Sequence, residues 1–272
     1  MNKISMDRTT LAYDDNGSGQ PLLLIHGFPL NRTMWRPQVA ALTKAGSRVI
    51  TPDLRGFGES RMTAAAVNMS SYADDIIALM DQLDLPQAVV GGMSMGGYVL
   101  LNLLERYPER VSAAIFIVTR AGADDEAGKA KRTALAAATD AEGMKPLLEV
   151  FRNILFAPDT LAAHPELVTE VSGWISATDP RGAAAGLIAM RERKDYLPGL
   201  GAIRQPALVI GAEQDQTIPS EQSRLLAAGI ADARLSVLPG GGHLVNLEQP
   251  DEFNAVLKEF LAGNKTIGKT AP

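Results

Sequence analysis

Short apolar runs and longer amphipathic stretches alternate along this chain. Residues 88–91, 114–118 and 207–210 are apolar almost throughout, as strands covered on both faces of a parallel sheet must be. Residues 22–25, 48–51 and 234–238 extend the series, while 4–6 and 9–13 show polar alternation across a short gap and predict an antiparallel pair at one edge. Between these runs a 3.6-residue stripe marks helices. Over residues 70–83 it puts Ile76, Met80 and Leu83 on one face, with Ser70 or Ser71 as cap and Pro86 as the stop. The rhythm fails once, from about Arg120 to Arg204. That stretch carries helical patterns at 130–138, 144–156, 166–175 and 180–191, with Pro146, Pro158, Pro165 and Pro198 near their ends, and no convincing strand. The expectation is an α/β fold: an eight-stranded, mostly parallel sheet flanked by helices, residues 1–119 and 205–263 forming the core. Residues 120–204 are expected to form an inserted helical cap and 264–272 a flexible tail.

Composition narrows the chemistry. With 272 residues, 46% of them hydrophobic and 21% charged, the chain can build one large core. Its net charge of −5 is the wrong sign for binding phosphate backbones, so nucleic acid is not an expected partner. There is no cysteine, which removes disulfides, thiol nucleophiles and thiolate metal sites. The three histidines, His26, His164 and His243, are too far apart for a local zinc motif, so no metal is expected. Four G-x-G triplets lack the third glycine of a dinucleotide fingerprint, and no phosphate-loop lysine follows them; no cofactor is expected. No signal-peptide or membrane-span pattern occurs, and the expected location is the cytoplasm.

One constellation carries chemistry. Gly92-Met93-Ser94-Met95-Gly96 follows an apolar run and opens a helix reaching about Arg106. The pentapeptide alone is a weak signal; a strand before it and a helix after it make it stronger. A serine on so sharp a turn leaves no room for Cβ atoms two residues to either side, and the turn aims the first N–H groups of the helix at an anion forming beside it. A serine hydroxyl needs a base. His243, in the Pro239-Gly240-Gly241-Gly242-His243 loop after the last strand, is the candidate. Asp215, shortly after the run ending at Ile210, is preferred as the acid that orients it, ahead of Glu213 and of Asp124 and Asp125. His26 reads as a structural residue bonded to nearby backbone and His164 as a surface residue. The oxyanion donors are expected at the N–H groups of Phe28, in His26-Gly27-Phe28-Pro29, and of Met95.

These residues, with the eight-strand pattern and Asp53-Leu54-Arg55-Gly56-Phe57-Gly58-Glu59-Ser60, resemble the α/β-hydrolase superfamily over almost the whole chain. The Gly-Met-Ser-Met-Gly-Gly elbow and the His-Gly-Phe-Pro loop are similar to those of small capped serine esterases and enol-lactone hydrolases, the group that includes 3-oxoadipate enol-lactonase. The resemblance implies that Asp53, Arg55 and Ser60 brace the floor of the site. It also implies a serine hydrolase that cleaves a small carboxylic ester or lactone through an acyl-enzyme, with Ser94, Asp215 and His243 catalytic. The same groups could serve thioester hydrolysis, carbon–carbon bond hydrolysis or cofactor-free perhydrolysis, or the scaffold could be a non-catalytic ligand receptor. Phe28, Met93 and Met95, with Trp174, Phe151 or Met190 from the insert, are the expected pocket walls; the charge of the substrate and the oligomeric state stay open.

Overall fold

Eight strands form one sheet in the computed structural model, which describes residues 2–6, 9–62 and 66–264. They are β1 (Asn2–Met6), β2 (Thr9–Asn16), β3 (Gln20–Ile25), β4 (Ser47–Pro52), β5 (Ala88–Met93), β6 (Val111–Ile117), β7 (Ala207–Ala212) and β8 (Ala233–Leu238). The spatial order is β1-β2-β4-β3-β5-β6-β7-β8, with β1 and β2 antiparallel at one edge and the rest parallel. Each strand falls where the apolar runs predict it. β5 and β7 are buried along their full length, which is why they read as unbroken apolar runs.

Helices cover both faces: α1 (Arg36–Lys44), α2 (Met69–Gln82), α3 (Met95–Arg106), α9 (Ser220–Gly229), α10 (Val245–Glu248) and α11 (Pro250–Gly263). Between β6 and β7 come five more: α4 (Glu126–Glu142), α5 (Lys145–Ile154), α6 (Pro158–Ala163), α7 (Pro165–Ser176) and α8 (Pro180–Arg191). The cap of α2 is Asn68 rather than Ser70 or Ser71; its side chain accepts from the Ser71 N–H at 2.8 Å while the Ser71 hydroxyl accepts from the Asn68 N–H, a reciprocal box. α4 is longer at both ends than its apolar stripe. Asp125 caps it through the Gly128 N–H at 2.8 Å, and Gly143 at φ 74° ends it. The six-residue α6 is too short for periodicity to reveal. Asn264, which the sequence assigns to the tail, closes α11 instead, its amide donating to the Phe260 carbonyl at 2.8 Å; residues 265–272 lie outside the described residues.

The topology fixes where a site can form. The chain leaves β3 toward β4 on one side and leaves β5 toward β6 on the other, so their carboxyl ends flank a crevice at the point where the winding reverses. β6 ends at Ile117, one residue before the predicted end, because Val118 turns at φ 39°, a strained conformation for a β-branched residue. After that turn the Thr119 hydroxyl donates to the carbonyl of Ser94 at 2.7 Å. Among the described residues no helix is long and apolar enough to cross a membrane.

Candidate active site

Ser94 stands between β5 and α3 at φ 51° and ψ −113°, a backbone conformation that L-residues rarely adopt. Crowding explains the glycines around it. A Cβ on Gly92 would sit 2.2 Å from the Gly96 carbonyl oxygen, and one on Gly96 would sit 2.4 Å from the Ile25 carbonyl oxygen. The Ser94 side chain makes no capping hydrogen bond, so its hydroxyl is not committed to the helix. The His26-Gly27-Phe28-Pro29 loop runs alongside: a Cβ built on Gly27 would lie 3.5 Å from the Ser94 Cβ, in ordinary contact. Met95 is the first residue of α3, so its N–H has no partner within the helix, and the Phe28 N–H has no acceptor among the described residues. Two amides near Ser94 therefore stand unspent among the described residues.

The acid and the imidazole meet directly. His243 Nδ1 lies 2.7 Å from Asp215 Oδ2, with both side chains buried. The other carboxylate oxygen accepts from the N–H groups of Thr217 at 2.8 Å and Ile218 at 2.9 Å. Held this way, the carboxylate takes a proton-bearing Nδ1 and leaves Nε2 as the acceptor. Glu213, the competitor for this role, instead accepts from the Gly240 N–H at 3.3 Å, and Asp124 is occupied by arginines. Thr217 and Ile218 share one cavity with Ser94. Among the described residues no hydrogen bond joins the Ser94 hydroxyl to His243; such bonds are commonly loose until substrate is bound.

His26 has the structural role read from the sequence. Its Nδ1 donates to the Gly27 carbonyl at 2.9 Å and its Nε2 accepts from the Leu54 N–H at 3.0 Å, and burial pulls its pKa below 6.5, so the ring is neutral. The segment beneath it is a brace. Asp53 accepts from the N–H groups of Arg32 and Glu59 at 2.7 and 2.8 Å, Ser60 bridges Asp53 and Ala12, and Arg55 pairs with Asp75 through Nε at 2.6 Å. His164 is exposed and bonds Glu166.

Two features escaped the sequence. Glu248 accepts from the Ala157 N–H at 2.8 Å, the Thr160 hydroxyl at 2.7 Å and the Leu244 N–H at 3.1 Å, tying the His243 loop to the start of α6; burial pushes its pKa up. Nothing local signals contacts 88 and 91 residues apart in sequence. The second is charge. A cavity of about 410 Å³ lies between the sheet edge and the inserted helices, and Arg120, Lys131 and Arg132 line it together with Ser94. Phe28, Phe151 and Met190 line it as expected; Met93 and Met95 are instead fully buried, and Trp174 lies outside it under the Arg36 guanidinium.

A family model for the alpha/beta hydrolase fold matches residues 20–250. The chain belongs to the alpha/beta hydrolase family. Among solved members, an esterase from Thermogutta terrifontis, described as malate bound, superposes with a TM-score of 0.95 at 34% identity, covering 97% of this chain and 100% of that one. An enol-lactonase from Burkholderia xenovorans has a TM-score of 0.90 at 29% identity over 96% of this chain and 100% of its own. A bromoperoxidase from Bacillus anthracis has 0.85 at 27% identity over 93% and 96%. For an alpha/beta hydrolase, an elbow serine, a loop histidine and an acid after a neighbouring strand are the positions where chemistry is sought first.

Proposed function

We propose that this alpha/beta hydrolase is a serine esterase or lactonase, with Ser94 as nucleophile, His243 as base and then acid, and Asp215 as the group that orients the imidazole. The observation that carries the reading is the buried Asp215–His243 hydrogen bond of 2.7 Å, with Asp215 held by Thr217 and Ile218, which line one cavity with a serine held at positive φ. In this reading Ser94 Oγ bonds to the carbonyl carbon as its proton passes to His243 Nε2. The oxyanion faces the Phe28 and Met95 N–H groups, each worth roughly 3 to 4 kcal/mol to the transition state. His243 then protonates the leaving alkoxide as the carbon–oxygen bond breaks. Water, deprotonated by the same nitrogen, cleaves the acyl-serine, so that one ester and one water give one acid and one alcohol.

In the same reading residues 120–204 form a cap over the reacting carbonyl, excluding bulk water and setting which acyl group fits. The likeness to an esterase and an enol-lactonase supports the choice of bond. The likeness to a bromoperoxidase supports a side activity, in which hydrogen peroxide replaces water as acyl acceptor and releases a peracid. A serine-directed fluorophosphonate tests the nucleophile. Peptide mass spectrometry is expected to find one adduct, on the peptide holding Ser94; an adduct elsewhere, or none, contradicts the assignment.

A further inference from the structure

The cavity lining divides by chemistry. Phe28, Phe151 and Leu187 give it an apolar part that any small acyl group would fill, but Arg120, Lys131 and Arg132 do not suit a neutral substrate. One acid, Asp124, lines the same cavity, and its charge is already taken. Arg193, its side chain only 2% exposed, binds both Asp124 oxygens at 2.7 and 2.8 Å, a one-to-one buried pair. Arg120 and Arg132 contact the same carboxylate on top of that pair, which leaves two guanidinium charges in excess. Lys131 is exposed and has no hydrogen-bond or ion-pair partner among the described residues. The nearby acids of α4 and α8 are committed elsewhere: Asp125 to the Gly128 N–H, Glu126 to Lys129 and Glu192 to Arg191.

Donors are also in excess. The Nε–H of Arg120 is buried with no acceptor among the described residues, and such a group is costly unless something accepts from it. The cluster stands close to the nucleophile along the chain's contacts, since Thr119, the neighbour of Arg120, bonds the Ser94 carbonyl at 2.7 Å. Tyr98, one turn after Ser94 in α3, lies under the Arg193 guanidinium at 4.4 Å. An excess of positive charge lining a cavity attracts an anion, and guanidinium pairs match the planar geometry of a carboxylate.

We infer that the substrate is a small ester or lactone bearing a separate carboxylate, which docks on Arg120, Lys131 and Arg132 while its acyl carbonyl faces Ser94. The inference rests on the hydrolase reading above and names its substrate class. A volume of about 410 Å³ lies toward the small end of the roughly 300 to 1,000 Å³ typical of ligand pockets, so the acid and the ester are separated by a short chain.

Two matched chromogenic esters test it: the 4-nitrophenyl monoester of glutaric acid, and 4-nitrophenyl pentanoate, in which a methyl group replaces the carboxylate. The wild-type protein is expected to favour the glutarate ester at least about tenfold in kcat/KM, mostly through KM, with the ratio shrinking as ionic strength rises. Arg132→Met should reduce that ratio about tenfold or more. Lys131→Met, at a side chain with nothing to unpair, should reduce it about threefold, and Lys131→Glu further. A ratio near one, or one that neither variant moves, overturns the inference while leaving the hydrolase reading intact. Calorimetry of glutarate binding to Ser94→Ala separates the two claims: binding that weakens when Arg132→Met is added supports the anion site even without turnover, and no binding contradicts it.

Discussion

Replacing Ser94 with Ala is expected to lower kcat/KM for a short-chain aryl ester by about 10⁴- to 10⁶-fold, since nucleophile and base act as a unit and the residual rate comes from the oxyanion donors and binding alone. The melting temperature should stay within about 2 °C of wild type or rise. The reasons lie in what the side chain does not do. The hydroxyl caps nothing, so its removal unpairs nothing, and alanine tolerates φ 51° no worse than serine. The strain belongs to the turn and is imposed by the packed glycines around it, where Gly92 and Gly96 leave no space for a Cβ. Protein purified free of host esterases, assayed with 4-nitrophenyl acetate alongside a thermal melt, checks both halves. Retained turnover removes Ser94 from the chemistry; a collapse in melting temperature assigns it a structural role.

Replacing Asp124 with Asn is expected to destabilise the fold by about 3 to 5 kcal/mol, a drop of about 10 °C in melting temperature, because it leaves the buried Arg193 guanidinium, with Arg132 and Arg120 beside it, without an anion. The side chains of Asp124 and Arg193 are each 2% exposed, so solvent screens this pair little. Burial alone would push the Asp124 carboxyl up, but the guanidiniums of Arg193 and Arg132 outweigh it and hold the group far below its ordinary 3.8. A depressed pKa sets the sign. The stabilisation is fully present above the unfolded carboxyl's pKa near 3.8 and is lost as pH falls below it. Wild type and variant should thus differ most at neutral pH and converge on acidification. Melts that differ by less than about 2 °C at pH 7 contradict the account of the cluster.

The sheet and the sharp turn at Ser94 were legible because each depends on local pattern. Buried parallel strands such as β5 and β7 must be apolar throughout, and the elbow needs glycines at fixed offsets from Ser94, so both leave marks that a single sequence carries. Asp215 and His243 could be proposed because each follows an apolar run by a few residues, at the sheet edge where Ser94 emerges. What stayed hidden depends on distant partners. Arg193 meets Asp124 across 69 residues and Glu248 meets Ala157 across 91, and neither pair has a local signature. Three of the expected cavity walls, Phe28, Phe151 and Met190, hold, and Met93 and Met95 do not: they flank Ser94 in sequence, but the alternation of side chains about the turn sends both into the core. Trp174 looked like a lining residue by type and is used elsewhere, stacked beneath Arg36.

Asp215 and His243 are joined by a hydrogen bond; what remains for experiment is that Ser94 works with them as one device. The direct measurement is kcat on 4-nitrophenyl acetate for Ser94→Ala, His243→Ala and the double variant, each purified and shown to fold. The account predicts that the double variant falls within about tenfold of either single one, because removing a second member of a broken unit takes away nothing further. Losses that multiply, or a His243→Ala protein that keeps near wild-type turnover, would contradict it.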